Sequence, residues 1–209
     1  MSAGDAPPVR FPRLALVDPT WLAEHASLDD DAAELACEAG TADDFVDAFL
    51  EARRFAGLAK SLGFMLERRE AVWMACVWAR AGGFVAGVDS RARKAAEAWV
   101  RDPREDLRYK AFELAQGEQF DGPGAWAGLA AFWSGPSLSL PGNEPVKPQP
   151  QLTGVACAAV YAFASLNGPG AFVQGLVEVG LDIARGRNGV ETLDALMVEV
   201  KAELAKTID

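Results

Sequence analysis

Glu67-Arg-Arg-Glu-Ala-Val-Trp-Met-Ala-Cys-Val-Trp-Ala-Arg80 sets nine uncharged residues, Ala71 to Ala79, between a charged cluster and a single arginine. Wound as a helix, the run carries small or large apolar groups on every side, and a helix that is apolar all round is a buried one. It is less than half of the roughly 20 residues that a membrane span needs, and Glu67, Arg68, Arg69 and Glu70 abut it, so burial in protein is the expected fate. The stretch predicts a central helix over 67–81, ended by Gly82-Gly83, with the other helices packed round it. The fold class expected is all-α: a single-domain orthogonal helical bundle of about 8–10 helices.

The chain has 209 residues, half of them apolar, enough for one sizeable core. Its formal net charge of −10 argues against nucleic acid or anionic lipid as the main partner, since both require a positive surface. The charge is unevenly placed. Leu14 to Ala52 holds eleven acids and no Lys or Arg, whereas Arg53 to Gly117 holds thirteen basic residues against eight acidic ones. The two blocks are expected to pack beside each other, with Trp21, Phe45 and Phe49 supplying apolar faces. Cys37, Cys76 and Cys157 are far apart and odd in number, which suggests neither a disulfide framework nor a zinc site and fits a reducing, cytoplasmic setting. Met1 to Arg13 has three prolines and no apolar run of signal-peptide length.

In chain order, residues 1–17 read as an extended N-terminal segment and 18–209 as the helical domain. Asp18-Pro19-Thr20 opens a short helix, and Ser27 with Asp29, Asp30 and Asp31 starts the next. Thr41 starts a third, with Phe45, Ala48, Phe49 and Ala52 on one face. Helices follow over 54–62, ended by Gly63, and over 67–81. Asp89-Ser90 caps a helix to Arg101, and Pro103 opens another with Leu107, Phe112 and Leu114 inward. Arg93, Glu97, Arg101, Arg104 and Arg108 read as two solvated helix faces. Asp121-Gly-Pro-Gly and Asn167-Gly-Pro-Gly begin two apolar helices 46 residues apart, a spacing that leaves open a helical-hairpin repeat. Between them, Pro136, Pro141, Pro145, Pro148 and Pro150 mark a non-helical, proline-rich connection over 135–151. Helices over 152–166 and 190–206 complete the reading.

Little of this carries chemistry. His25 is the only histidine, so histidine-pair metal sites are excluded; at a helix end beside an acidic run, a capping role is the plain reading. Asp29 to Asp31 lack a calcium loop, and neither Gly-Pro-Gly stretch is a phosphate loop. No catalytic residue, cofactor site or metal site is assigned. Arg69 and Glu70 form the one polar pair beside the most buried helix, where a charge is costly unless it finds a partner in the pair, a helix end or a neighbouring element. Trp73, Trp78, Trp126 and Trp133 read as core, or as the lining of a pocket or partner groove.

Arg69-Glu-Ala-Val-Trp-Met-Ala-Cys76, Ala98-Trp-Val100, Ala127-Gly-Leu-Ala-Ala-Phe-Trp-Ser-Gly135, the proline run to Pro150-Gln-Leu-Thr153, and Gly180-Leu-Asp-Ile-Ala-Arg-Gly186 resemble an uncharacterised family of bacterial all-helical domains over roughly 45–186. The resemblance implies no established activity and no catalytic residue. Members of such families are sometimes found with type VI secretion genes, which implies a cytoplasmic accessory or interaction protein.

Two function classes follow. The first is a non-enzymatic helical adaptor that binds another protein, motivated by the acidic surface and a proline-rich connection suited to docking. The alternative is a small-molecule-binding protein or enzyme with a tryptophan-lined pocket beside Arg69 and Glu70. The sequence leaves the oligomeric state open.

Overall fold

The structure is a computed structural model that describes residues 8–86, 89–140, 142–166 and 170–206. Eleven helices occur among the described residues, slightly more than expected: α1 (Pro19–Ala26), α2 (Asp30–Glu38), α3 (Ala42–Glu51), α4 (Phe55–Met65), α5 (Arg68–Ala86), α6 (Arg91–Arg101), α7 (Glu105–Gly117), α8 (Gly122–Trp133), α9 (Leu152–Ser165), α10 (Gly170–Ala184) and α11 (Val190–Lys206). Among them the only β-type pairing is one isolated antiparallel bridge, Leu14 to Leu66. The expected all-helical bundle is what the chain forms.

α5 is its centre. It packs against α4, α6, α8, α9, α10 and α11. From Ala71 to Ala79 only Trp73 keeps partial exposure. Each large apolar side chain so buried contributes about 1.5–3 kcal/mol. The helix does not end at Gly82-Gly83 as expected; it runs on to Ala86. A Cβ on Gly82 would lie 2.7 Å from Ala164 Cα and 2.9 Å from Ala164 Cβ, so this glycine sets how closely α5 approaches α9. Gly63 corrects in the same way. α4 continues through it to Met65, because a Cβ there would meet the Cβ of Cys157 on α9 at 2.6 Å.

Most helix starts follow from the sequence. Asp18, Thr41 and Ser90 accept from the backbone N–H groups of Trp21, Asp44 and Arg93 at 2.8, 3.1 and 3.0 Å. At α2 the cap is Asp29, which accepts from Ala32 N at 3.0 Å, whereas Ser27 takes the left-handed position that closes α1. α7 begins at Glu105 behind Arg104 rather than at Pro103.

The acidic segment is integral to the bundle. Phe45, Val46 and Phe49 of α3 are buried, and α1 and α3 lie against α4. Its charges find fewer partners in the basic middle than expected. Arg54 pairs with Asp29 at 3.0 Å and with Asp31, and Lys60 reaches Ser27 O at 3.4 Å. Arg93, Arg101, Arg104, Arg108 and Lys110 pair instead with carboxylates of the middle block itself. Arg10, from outside both blocks, bonds Asp47 at 2.6 Å and donates its backbone N–H to Asp43 at 2.8 Å.

Residues 8–17 form a strap without helix. Phe11 and Leu14 are buried, Arg13 N donates to Ala184 O at 3.1 Å, and Ala15 N donates to Met65 O at 2.9 Å. Residues 1–7 of the expected extended segment lie outside the described residues, as do Pro141 and Asn167 to Pro169, most of the second Gly-Pro-Gly start.

Two outcomes test this packing. Gly82→Ala should destabilise by about 1–3 kcal/mol through overpacking against Ala164, despite the gain of about 1 kcal/mol that alanine brings to a helix interior. Thermal unfolding checks the sign. Burial holds the Cys76 thiol well above its ordinary pKa and pushes that of Cys157 up to about 12. The folded Cys157 thus keeps a proton that the unfolded chain loses, so its contribution to stability is intact below pH 9 and declines between 9 and about 12. Melting temperatures of the native chain and of Cys157→Ala should converge as pH rises through that window. At neutral pH a maleimide should label only the exposed Cys37 until the chain is unfolded.

Candidate functional site

At the start of α5, Trp73 follows Arg69 by four residues and Glu70 by three, the spacings that make side chains neighbours on a helix. Arg69 and Glu70 do not bond each other. Arg69 Nε donates to Val100 O at 2.6 Å and Nη2 to Arg101 O at 3.5 Å, so the guanidinium satisfies the end of α6, where carbonyls lack helical donors and a cation is favoured. Glu70 Oε1 pairs with Arg13 of the strap at 2.8 Å. Glu70 Oε2 is buried without a hydrogen-bond donor. Trp73 Nε1 donates to Asn188 O at 2.8 Å in the turn after α10, where Arg187 pairs with the buried Asp182.

These residues surround one cavity of about 350 Å³, lined by Arg13, Arg69, Glu70 and Arg187 on the polar side and by Trp73, Val100 and Ile183 on the apolar side. Chemically it offers three guanidinium groups, one carboxylate and an indole wall. Arg13 and Arg187 come from parts of the chain far from α5, and the sequence reading missed both. Arg185-Gly186-Arg187 carried a signal, since a glycine following a helix marks its end, and Gly186 indeed adopts φ 90°. Nothing in the sequence pointed to Arg13.

The other tryptophans lie elsewhere. Trp78 is fully buried, with its Nε1 donating to Leu176 O at 2.7 Å and its ring 5.6 Å from Tyr161. Trp126 and Trp133 of α8 meet edge to face at 6.2 Å, and Trp126 Nε1 is buried without an acceptor. The four indoles therefore share no pocket. A larger cavity of about 620 Å³ opens between α5, α8 and α9, beside the start of α6. Several of its polar groups are already committed. Glu118 accepts from Arg91 N at 2.7 Å, Ala92 N at 3.0 Å and Ser90 Oγ at 2.7 Å, and Asp89 pairs with Arg93 and Lys94.

The expectation of two solvated faces on α6 and α7 is overturned. Arg101 and Arg104 are exposed, but Arg93 is buried, held by Asp89 at 3.1 Å and by Glu97, and Arg108 is 0 % exposed. Arg108 pairs with Glu105 at 2.6 Å, donates to Phe132 O at 2.7 Å, and lies over the rings of Tyr109 and Phe132 at 4.5 and 4.9 Å. The buried stripe of α7 is Arg108, Ala111 and Ala115, at i, i+3 and i+7, rather than Leu107, Phe112 and Leu114. Small alanines let α7 approach α6 and α8, and the room they leave admits one long side chain whose charge is fully bonded. The alanine spacing was the signal.

His25 Nδ1 lies 2.8 Å from Trp21 O, and its ring stacks on Trp21 at 4.7 Å. Among the described residues no cluster of His, Cys, Asp and Glu could hold a metal ion, and no helix is long and apolar enough to cross a membrane.

Arg108→Ala should cost about 2–4 kcal/mol, from a lost buried hydrogen bond and an unfilled volume, whereas Arg69→Ala should cost below about 1 kcal/mol because water can reach the carbonyls it serves. Urea unfolding of the two variants checks this order.

In comparison with known proteins, residues 45–184 fit the model of a family described as a family of unknown function (DUF6931). No curated protein and no solved structure matches the chain.

Proposed function

The chain belongs to this family of unknown function, DUF6931, and we propose that it is a non-enzymatic helical adaptor that binds another protein through the connection between α8 and α9. The observation that carries the reading is a pair of large apolar side chains, Leu140 at 61 % and Val146 at 55 % exposure, displayed on one held arm. Leu138 N donates to Val146 O at 2.7 Å, and Ser137 Oγ accepts from Ser139 N and Val146 N at 3.0 and 3.1 Å. Tyr109 donates its hydroxyl to Ser139 O, and Pro148 is buried at the arm's return. Prolines and these bonds restrict the arm before any partner arrives, which lowers the entropy lost on docking. Single exposed leucines are ordinary on protein surfaces; two apolar groups on an arm held at its base make an anchor.

A bacterial source, a cytoplasmic location and a place beside a type VI secretion assembly belong to this proposal, and the sequence resemblance alone supports them. The second reading, a site for a small molecule, is favoured by the cavity at Arg69, Glu70 and Trp73.

The double variant Leu140→Asp, Val146→Asp tests the adaptor. Affinity purification from the native host after cross-linking should recover a stoichiometric partner with the native chain and lose it with the variant. The melting temperature should stay within about 1–2 °C, as for a surface change. Equal recovery with both chains, or no partner with either, overturns the proposal.

A further inference from the structure

We propose that the cavity formed by Arg13, Arg69, Glu70, Trp73, Ile183 and Arg187 is a binding site for a small zwitterion, an α-amino acid with an apolar side chain. The inference does not rest on the adaptor reading, because it uses neither the arm nor a protein partner. Its volume of about 350 Å³ lies at the small end of ligand sites, which run from roughly 300 to 1,000 Å³ and combine an apolar lining with a few placed polar groups.

Each part of such a ligand meets a matching group. The carboxylate goes to Arg69. This arginine has no carboxylate partner among the described residues, and with Nε and Nη2 turned to the carbonyls of α6, its Nη1 donors stay available. Planar guanidinium forks suit carboxylates, and Arg187 on the facing turn adds a second positive group whose own carboxylate, Asp182, is buried beneath it. The ammonium goes to Glu70. One oxygen of that carboxylate is occupied by Arg13, and the other is buried with no donor, a state that costs free energy until a donor arrives. The terminal torsion of a glutamate is soft, so the carboxylate can turn to meet a group in the cavity. The apolar side chain goes to the wall of Trp73, Val100 and Ile183, where the indole N–H is already bonded to Asn188 and presents no unmet polar group. A simple anion would leave the Glu70 oxygen unpaired, and a simple cation would face three guanidinium groups.

Calorimetric titration with L-leucine, L-leucinamide and N-acetyl-L-leucine separates these roles, with quenching of Trp73 emission, referenced to Trp73→Phe, as a second readout. Leucine should bind saturably. The amide, which lacks the carboxylate, and the acetyl derivative, which lacks the ammonium, should each bind at least about tenfold more weakly, the scale of one charge-assisted hydrogen bond. Glu70→Gln should remove the preference for leucine over N-acetyl-leucine, and Arg69→Ala the preference for leucine over leucinamide, each in a folded protein as judged by its melting curve. Because Arg69 lies at the surface, the second variant keeps the test available even if the first perturbs the strap. Absence of saturable binding by leucine, isoleucine and phenylalanine up to about 10 mM overturns the proposal, since that range reveals millimolar binders. Equal binding of leucine and N-acetyl-leucine also overturns it, by showing an anion site without the ammonium contact.

Discussion

Burial of the apolar middle of α5, Ala71 to Ala79, is the constraint on which the rest of the structure depends. A helix apolar on every side is stable only when other elements cover every side, and six helices do so here. Covering one cylinder with so many others forces close crossings. The bundle meets that demand with small residues: Gly82 against Ala164, Gly63 against Cys157, and the alanines Ala92, Ala115 and Ala125 where α6, α7 and α8 meet. Trp78 is the largest of the fully buried side chains, and it touches both α9 and α10 through Tyr161 and Leu176 O.

Close packing of helices brings helix ends inside, and helix ends leave carbonyl groups without donors. Donors reaching across from other elements, two of them arginine side chains and one a backbone N–H of the strap, supply several of these. Arg69 serves the end of α6, Arg108 serves Phe132 O near the end of α8, and Arg13 N serves Ala184 O at the end of α10. Glu118 performs the reverse task, bringing a carboxylate to the start of α6, where free N–H groups favour negative charge. Charge in this acidic chain is thus used inside the fold as helix-end complement as well as on its surface.

The contrast between what could and could not be read from the sequence follows from this packing. The central helix, most caps and the proline-rich connection were legible, because periodicity, capping residues and prolines act within a few positions of the chain. The exact ends of α4 and α5 were not, because Gly63 and Gly82 are there for a neighbouring helix, and a glycine that permits close approach looks in sequence like one that stops a helix. The buried Arg93 and Arg108 were misread for the related reason that an arginine with an acid three or four residues away resembles a solvated pair. At Arg108, the alanines at i+3 and i+7 distinguish a face that closes against another helix. At the cavity, Arg69, Glu70 and Trp73 were legible as neighbours, while Arg13 and Arg187 came from tertiary folding. Trp78, Trp126 and Trp133 share composition with Trp73 but not location.

The charged cluster in front of the apolar helix has a physical reason as well. Successive residues on a helix point about 100° apart, so three in a row reach three different neighbours. Arg68 comes within 3.5 Å of Ser134 O at the root of the arm, Arg69 bonds the end of α6, and Glu70 bonds Arg13 of the strap. One helical turn therefore ties the arm, the α6 end and the N-terminal strap to the central helix, and each of its three charged side chains finds a partner outside α5. Removing the charges from this turn would leave the core chemistry of α5 unchanged but would take away one bond each to the arm's root, the α6 end and the strap. The apolar run accounts for where α5 sits; the charges ahead of it account for what is arranged around its first turn.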